Sequence, residues 1–344
     1  MKLLSKIFLS YVLPLAIGLA LFWYVVFSRV SLEDLLSHIR EAKFSWILVS
    51  FGLGVLSHWA RAYRWKFLLA PLGYRLPIGK GFVAVMVGYF ANLILPRMGE
   101  VTRCGILQKM EGIPAHTSFG TVITERIIDL LILITLTITI FFIEFDNLSD
   151  LIINTFTAKL YGVNNHLTLL AALSVVGVLF LIVVFLIWRR YREKLRTYAF
   201  YNKVSHFTKG IWEGVKSVRR IKNKPAFIFY TVLIWVLYYW MAYVLFFCFP
   251  ATADLGLLAG FAILIMGGIG MAAPVQGGIG AYHFLVSQTL AVYGLQEELG
   301  ITFATFMHAM QTSVVVIAGG LCFIISLLIR RSAASSLEKK LEKT

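Results

Sequence analysis

Two triplets of charged residues stand within one stretch of an otherwise apolar region: Arg97, Glu100 and Arg103, then Glu125, Arg126 and Asp129. Arginine forks grip the oxygens of a phosphate or carboxylate two at a time, so the chemistry these residues offer is capture of an anion. On a helix, 97 and 100 are neighbours, as are 100 and 103. That triplet neutralises itself in part and keeps a net positive charge. Free N–H groups at a half-helix start would add to its pull on a group such as phosphate. Glu125 and Asp129 stand one turn apart on one face, with Arg126 three residues before Asp129. Two acids and a base can pair among themselves and with Arg97 or Arg103 across a bundle. The competing readings are solvated charges on an interfacial helix for the first triplet, and a structural ion network for the second.

The surrounding chain says where these charges sit. It has 344 residues, 59% hydrophobic and 14% charged, whereas soluble domains are about half apolar and a quarter charged. The composition predicts an all-α, polytopic membrane protein. Ionisable groups at membrane depth are costly unless paired or wetted, which makes the cluster a candidate functional site. The net charge of +15 gathers in loops, a mark of topology and not of nucleic-acid binding. Cys104, Cys248 and Cys322 are far apart and indicate neither disulfides nor a metal site. The basic N-terminus leads an apolar run too long for a signal peptide, and it reads as a retained first span.

A span takes roughly 20 apolar residues. About six are expected, near residues 7–27, 46–69, 119–143, 167–188, 227–249 and 301–329, within one membrane domain over 1–330. If the helix carrying Glu125 starts near Thr117, that residue lies about 12 Å into it. Residues 31–43 read as a short interfacial helix. Two further elements break partway. The apolar stretch from residue 78 stops at Pro96 and is followed by a helix too polar for lipid; another from 255 stops at Pro274-Val275-Gln276-Gly277-Gly278-Ile279-Gly280. Each reads as a re-entrant hairpin, about 78–112 and 255–295, and the alternative is two ordinary pairs of spans with proline kinks. The basic loop 189–224 belongs on the cytoplasmic side, as do both termini and the charged tail 331–344. One hairpin from each face makes an inverted repeat, an arrangement that points to a transporter site near the midplane.

Other candidates have plainer readings beside them. Gln276, Gly277, Gly278, Tyr282 and His283 could line a cradle for an anion at the glycine-rich turn, or form a turn with no ligand. Snorkelling toward the interface is the favoured reading of Arg61 and Arg64, and the functional one is an entrance that attracts anionic headgroups. His58 reads as a packing residue, and His308 with Gln311 as polar glue between helices. No nucleophile–base pair, metal-ligand set or cofactor motif stands out, so neither an enzyme nor a cofactor is expected.

The chain resembles the transmembrane region of lysylphosphatidylglycerol synthases, a flippase-like family with stand-alone members. The residues that carry the likeness are Asn92-Leu93-Ile94-Leu95-Pro96-Arg97-Met98-Gly99-Glu100 with Arg103, then Glu125-Arg126-Ile127-Ile128-Asp129, then Pro274 to Gly280 with Ala281 and Tyr282. The resemblance implies lipid translocation, or handling of a lipid-linked substrate, in the plasma membrane, with an anionic phospholipid or lipid-linked headgroup as partner. Asn92 enters the candidate set through this motif. The family often carries an acid where this chain has His283. Full-length synthases add an aminoacyl-transferase domain, and this chain is expected to lack that activity, ending as it does at Thr344 just past its last span. An intramembrane transferase and a membrane partner subunit remain the alternatives.

Overall fold

The computed structural model describes residues 42–94, 98–144, 216–273 and 275–341, with 20, 23, 24 and 212 individually. Expectations for the first span, the interfacial helix, the span 167–188, Arg97, Pro96, Pro274 and most of the basic loop lie outside the described residues. Every described element is helical. In order these are α1 (Phe44–Leu69), α2 (Ile78–Ile94), α3 (Gly99–Glu111), α4 (Ala115–Ile143), α5 (Lys224–Tyr243), α6 (Leu257–Ala272), α7 (Ala281–Val292) and α8 (Glu297–Leu341). A 3-10 segment, Val244–Cys248, extends α5.

Among the described residues, three helices are long and apolar enough to cross a membrane: Ala115–Ile143, Lys224–Cys248 and Glu297–Ile329. Helix α1 has the length, but Arg61, Arg64 and Lys66 interrupt its apolar run. Helices α2 and α6 are shorter and apolar. The described chain therefore runs long, short, short, long, and then repeats that order about 180 residues later.

The ends of the bundle can be followed through its packing. One end gathers Leu69, Leu76, Leu107, Ile113, Ile221 and Phe227 into a single cluster. There Lys80 of α2 pairs with Glu111 of α3, so the two outer ends of that helical pair lie together. The other end gathers Trp46, Phe249, Leu255, Tyr293 and Leu295, and the Lys43 amide donates to the Cys248 carbonyl there. Helices α1 and α5 run antiparallel: Ser50 bonds the Met241 carbonyl at one level and Tyr63 stacks on Tyr230 at another.

Close backbone approach sets the short pairs. A methyl group on Gly88 would lie 2.9 Å from the Gly99 carbonyl oxygen, so α2 and α3 meet glycine to glycine. Between α6 and α7, a methyl on Gly270 would meet the Tyr282 backbone at 2.7 Å. Small residues at helix interfaces are how membrane helices gain van der Waals contact where lipid supplies no hydrophobic drive. The turn between α6 and α7 holds Gly277, Gly278 and Gly280 at φ 61°, 70° and 82°. Those left-handed values exclude most side chains. The inner ends of the two short pairs touch, where the Gln276 amide donates to the Leu93 carbonyl at 2.6 Å.

Candidate functional site

Three helices, α1, α3 and α4, bring the charged residues together. Asp129 of α4 receives both Arg64 Nη groups, at 2.6 and 3.1 Å, and Arg61 Nη1 at 2.9 Å. Arg61 Nε also donates to the Tyr238 hydroxyl of α5 at 3.0 Å. Arg103 of α3 donates to Glu125 at 2.7 Å, and Arg126 donates to Glu100 at 2.8 Å. Aromatic faces complete the surround. The Arg103 guanidinium lies 3.6 Å from the Trp65 ring centre, and Arg61 and Arg126 lie 5.8 and 5.9 Å from that of Tyr89. A cation over an aromatic face is attracted to its electron density. Trp65 is itself fixed by a bond from Nε1 to Thr121.

Depth follows from helix rise. Arg61 is eight residues inside the end of α1 and Glu125 ten inside the start of α4, which places the cluster about 12–15 Å from that end of the bundle. The expectation that Arg61 and Arg64 reach outward to an entrance is corrected. They are 4% and 0% exposed and locked onto Asp129, because α1 turns them inward against α4. Sequence reasoning missed Tyr89, Trp65 and Tyr238. The available signal was an arginine two turns inside a span end, deep enough to need a partner.

The expected free N–H groups at the start of α3 are also modified: Gly99 N donates to the Asn92 side chain at 2.7 Å. Asn92 is therefore a helix cap beside the cluster. Gln276 reaches the end of α2, whereas Tyr282 and His283 are buried, 2% and 1% exposed, against α8. They pack with His308 instead of lining the charged cleft. His283 Nδ1 accepts the Gly280 amide at 3.2 Å, the capping role an acid could play at that position. His308 donates to the Gly277 carbonyl and Gln311 to the Tyr282 hydroxyl, so the first joins α8 to the turn and the second joins α8 to α7. His58 packs on Tyr89.

Two properties of the cluster bear on chemistry. Four described guanidiniums (Arg61, Arg64, Arg103, Arg126) face three carboxylates (Glu100, Glu125, Asp129), an excess of one positive charge when all are ionised. Buried Arg103 also has Nε and Nη2 without a hydrogen-bond partner, and Glu125 has Oε1 without one; unmet buried polar atoms in a native fold call for an explanation. Arg103, Asn92, Glu100 and Arg126 border a cleft of about 10 Å³, room for one water and no more. A larger cavity of about 290 Å³, lined by Phe249, Thr252, Leu295 and Phe303, lies at the other end of the bundle and carries no charge. Among the described residues, no group of His, Cys, Asp and Glu is arranged to hold a metal ion.

The family model described as "Lysylphosphatidylglycerol synthase TM region" matches residues 11–319. The UPF0104 membrane protein MJ1595 of Methanocaldococcus jannaschii is 25% identical over 271 residues, covering 74% of this chain and 80% of that protein. Glycosyltransferase AglD of Haloferax volcanii is 27% identical over 100 residues, covering 29% of this chain and 16% of that protein. No solved structure matches.

Proposed function

Because the chain belongs to the lysylphosphatidylglycerol synthase transmembrane-region family of multi-pass membrane proteins, we propose that it is a non-enzymatic, flippase-like transporter. It binds the phosphate of an anionic phospholipid or lipid-linked substrate and carries it between leaflets. The observation that carries this reading is Arg103, buried with two unmet donors inside a cluster that holds more guanidiniums than carboxylates. Phosphate oxygens are acceptors that a guanidinium fork can bind two at a time. Arg103 and Arg126 hold the phosphate, and Glu125 and Asp129 hold the guanidiniums in place.

The helical arrangement supports the same reading. The pair α2–α3 enters from and returns to the face marked by Lys80 and Glu111, and α6–α7 does so from the opposite face, marked by Leu255 and Leu295. Their inner ends meet at Gln276 and Leu93. Two such units in opposite sense form an inverted repeat, which in secondary transporters sets the site near the midplane. The Lys80 end also carries Lys66, Arg75, Lys109, Arg219, Lys222 and Lys224, and the other end carries Glu144, Asp254, Glu297 and Glu298. Positive residues stay inside, so the Lys80 end is cytoplasmic, and with it the end toward which α8 runs; the expected span over residues 7–27 would bring the N-terminus to the same side of the plasma membrane.

Exchange of a labelled phosphatidylglycerol across vesicles containing the full chain tests this. Arg126→Ala abolishes exchange while helicity is kept; undiminished exchange rejects the reading. The short match to a glycosyltransferase favours one second reading, transfer onto a lipid-linked substrate. It requires new products when purified protein is incubated with polyprenyl-phosphate or phospholipid and analysed by mass spectrometry.

A further inference from the structure

The three acids of the cluster are not held alike. Asp129 receives three bonds from two buried arginines. The Glu125 side chain is 2% exposed and bonded to Arg103. Glu100 bonds Arg126 in a pair whose side chains are 24% and 43% exposed, at the mouth of the cleft. We propose that Glu100 is a displaceable stand-in for the substrate's anion: it occupies Arg126 while the cleft is empty and yields that guanidinium to an arriving phosphate group. The inference rests on the reading that the cluster binds an anion, and adds how the site opens and which residue sets its affinity.

The size of the cleft requires some such step. Room for one water cannot admit a phosphate, so a bordering contact must part. Arg103–Glu125 is buried, and parting it would strand two charges away from water. Arg126–Glu100 is the least covered of the ion pairs bordering the cleft, so it parts at lower cost than Arg103–Glu125. The exchange also keeps charge matched, since Arg126 trades one oxyanion for another and is never left bare. The incoming group then lies beside Arg103, which borders the same cleft and whose Nε and Nη2 have no hydrogen-bond partner. Every productive binding event thus competes with Glu100, which keeps the empty site shut and lets the bound anion leave again.

The stand-in role has a signature that a scaffolding role does not: removing the charge of Glu100 strengthens binding. The full chain in neutral maltoside micelles is titrated with dihexanoyl phosphatidylglycerol and, separately, with inorganic phosphate. Glu100→Gln is expected to bind the lipid about tenfold more tightly than the unaltered chain, a change of about 1.4 kcal/mol, and to exchange it more slowly in vesicles. Glu100→Ala serves the same purpose should the Gln variant fail to fold. Tightening for the lipid alone supports the role with a lipid headgroup as substrate; tightening for both probes supports it with phosphate itself as the recognised group. Equal or weaker binding by the Glu100 variants, with binding lost in Arg126→Ala, overturns the stand-in role and leaves the anion site standing. Binding that survives in Arg126→Ala removes the anion site, and the stand-in role with it.

Discussion

Replacing Asp129 with Asn removes the carboxylate that Arg61 and Arg64 share. The change is isosteric, so the effect reads charge and hydrogen bonding, not volume. Three bonds of 2.6, 2.9 and 3.1 Å are weakened, and Arg64 is 0% exposed. Removing one member of a buried ion pair costs about 3–5 kcal/mol because the other charge is left uncompensated. Here two guanidiniums lose their partner, but Arg61 keeps the Tyr238 hydroxyl and the rings of Tyr89 and Tyr238. We therefore expect a loss near the middle of that range, about 4 kcal/mol. Equilibrium unfolding of the purified chain in mixed micelles, followed by circular dichroism, measures it. The triple variant Arg61→Leu, Arg64→Leu, Asp129→Leu should recover much of the loss, since an apolar core can replace a buried ion group. A loss below about 1 kcal/mol in Asp129→Asn is the size expected of an exposed pair. It would mean that Arg61 and Arg64 reach water, and the argument for a closed, inward-facing cluster would fail.

Gly99→Ala should cost roughly 1–3 kcal/mol in the same unfolding measurement, because its methyl group would lie 2.5 Å from the Asn92 side chain; a neutral effect would show that α2 and α3 are not in close contact. Single cysteines at Lys80 and Glu111, in a chain whose Cys104, Cys248 and Cys322 are replaced, should react with an impermeant maleimide from one face of sealed vesicles. Cysteines at Leu255 and Leu295 should react from the other face, and labelling of 80 and 111 from opposite faces rejects the hairpin topology. Gln276→Ala removes the bond between the two inner ends and should cost about 1 kcal/mol of stability, with a larger fractional effect on the exchange rate than on unfolding.

Part of the site is legible in the order of residues alone. That the charges of α3 and α4 pair across the bundle follows from two charged helices joined by a short turn, although the particular match of Arg103 to Glu125 does not. His308 and Gln311 are readable as polar ties because lone polar groups in a span must find a partner, and they do so at Gly277 and Tyr282. Arg61 and Arg64 are not readable in this way. Their partner lies 65–68 residues away, and periodicity states that two positions share a face without stating what that face meets. Tyr282 and His283 group with the charged residues by their place after a glycine-rich turn, yet α7 presents them to α8. Asn92 enters through a motif, and its task as a cap appears only when α3 packs across the end of α2.

Composition and run length settle the class, since continuous apolar runs of about 20 residues satisfy their backbone in a bilayer as helices, whereas barrel strands are short and alternating. Local chemistry likewise places the polar break near Pro96 and the glycine turn before Ala281, because neither stretch can continue a lipid-facing helix. Which guanidinium meets which carboxylate, and whether a given arginine faces water or protein, was decided by tertiary structure. Helix rotation and close approach are set by glycine contacts such as Gly88 on Gly99. Those contacts join residues far apart in the chain, and no local pattern encodes them.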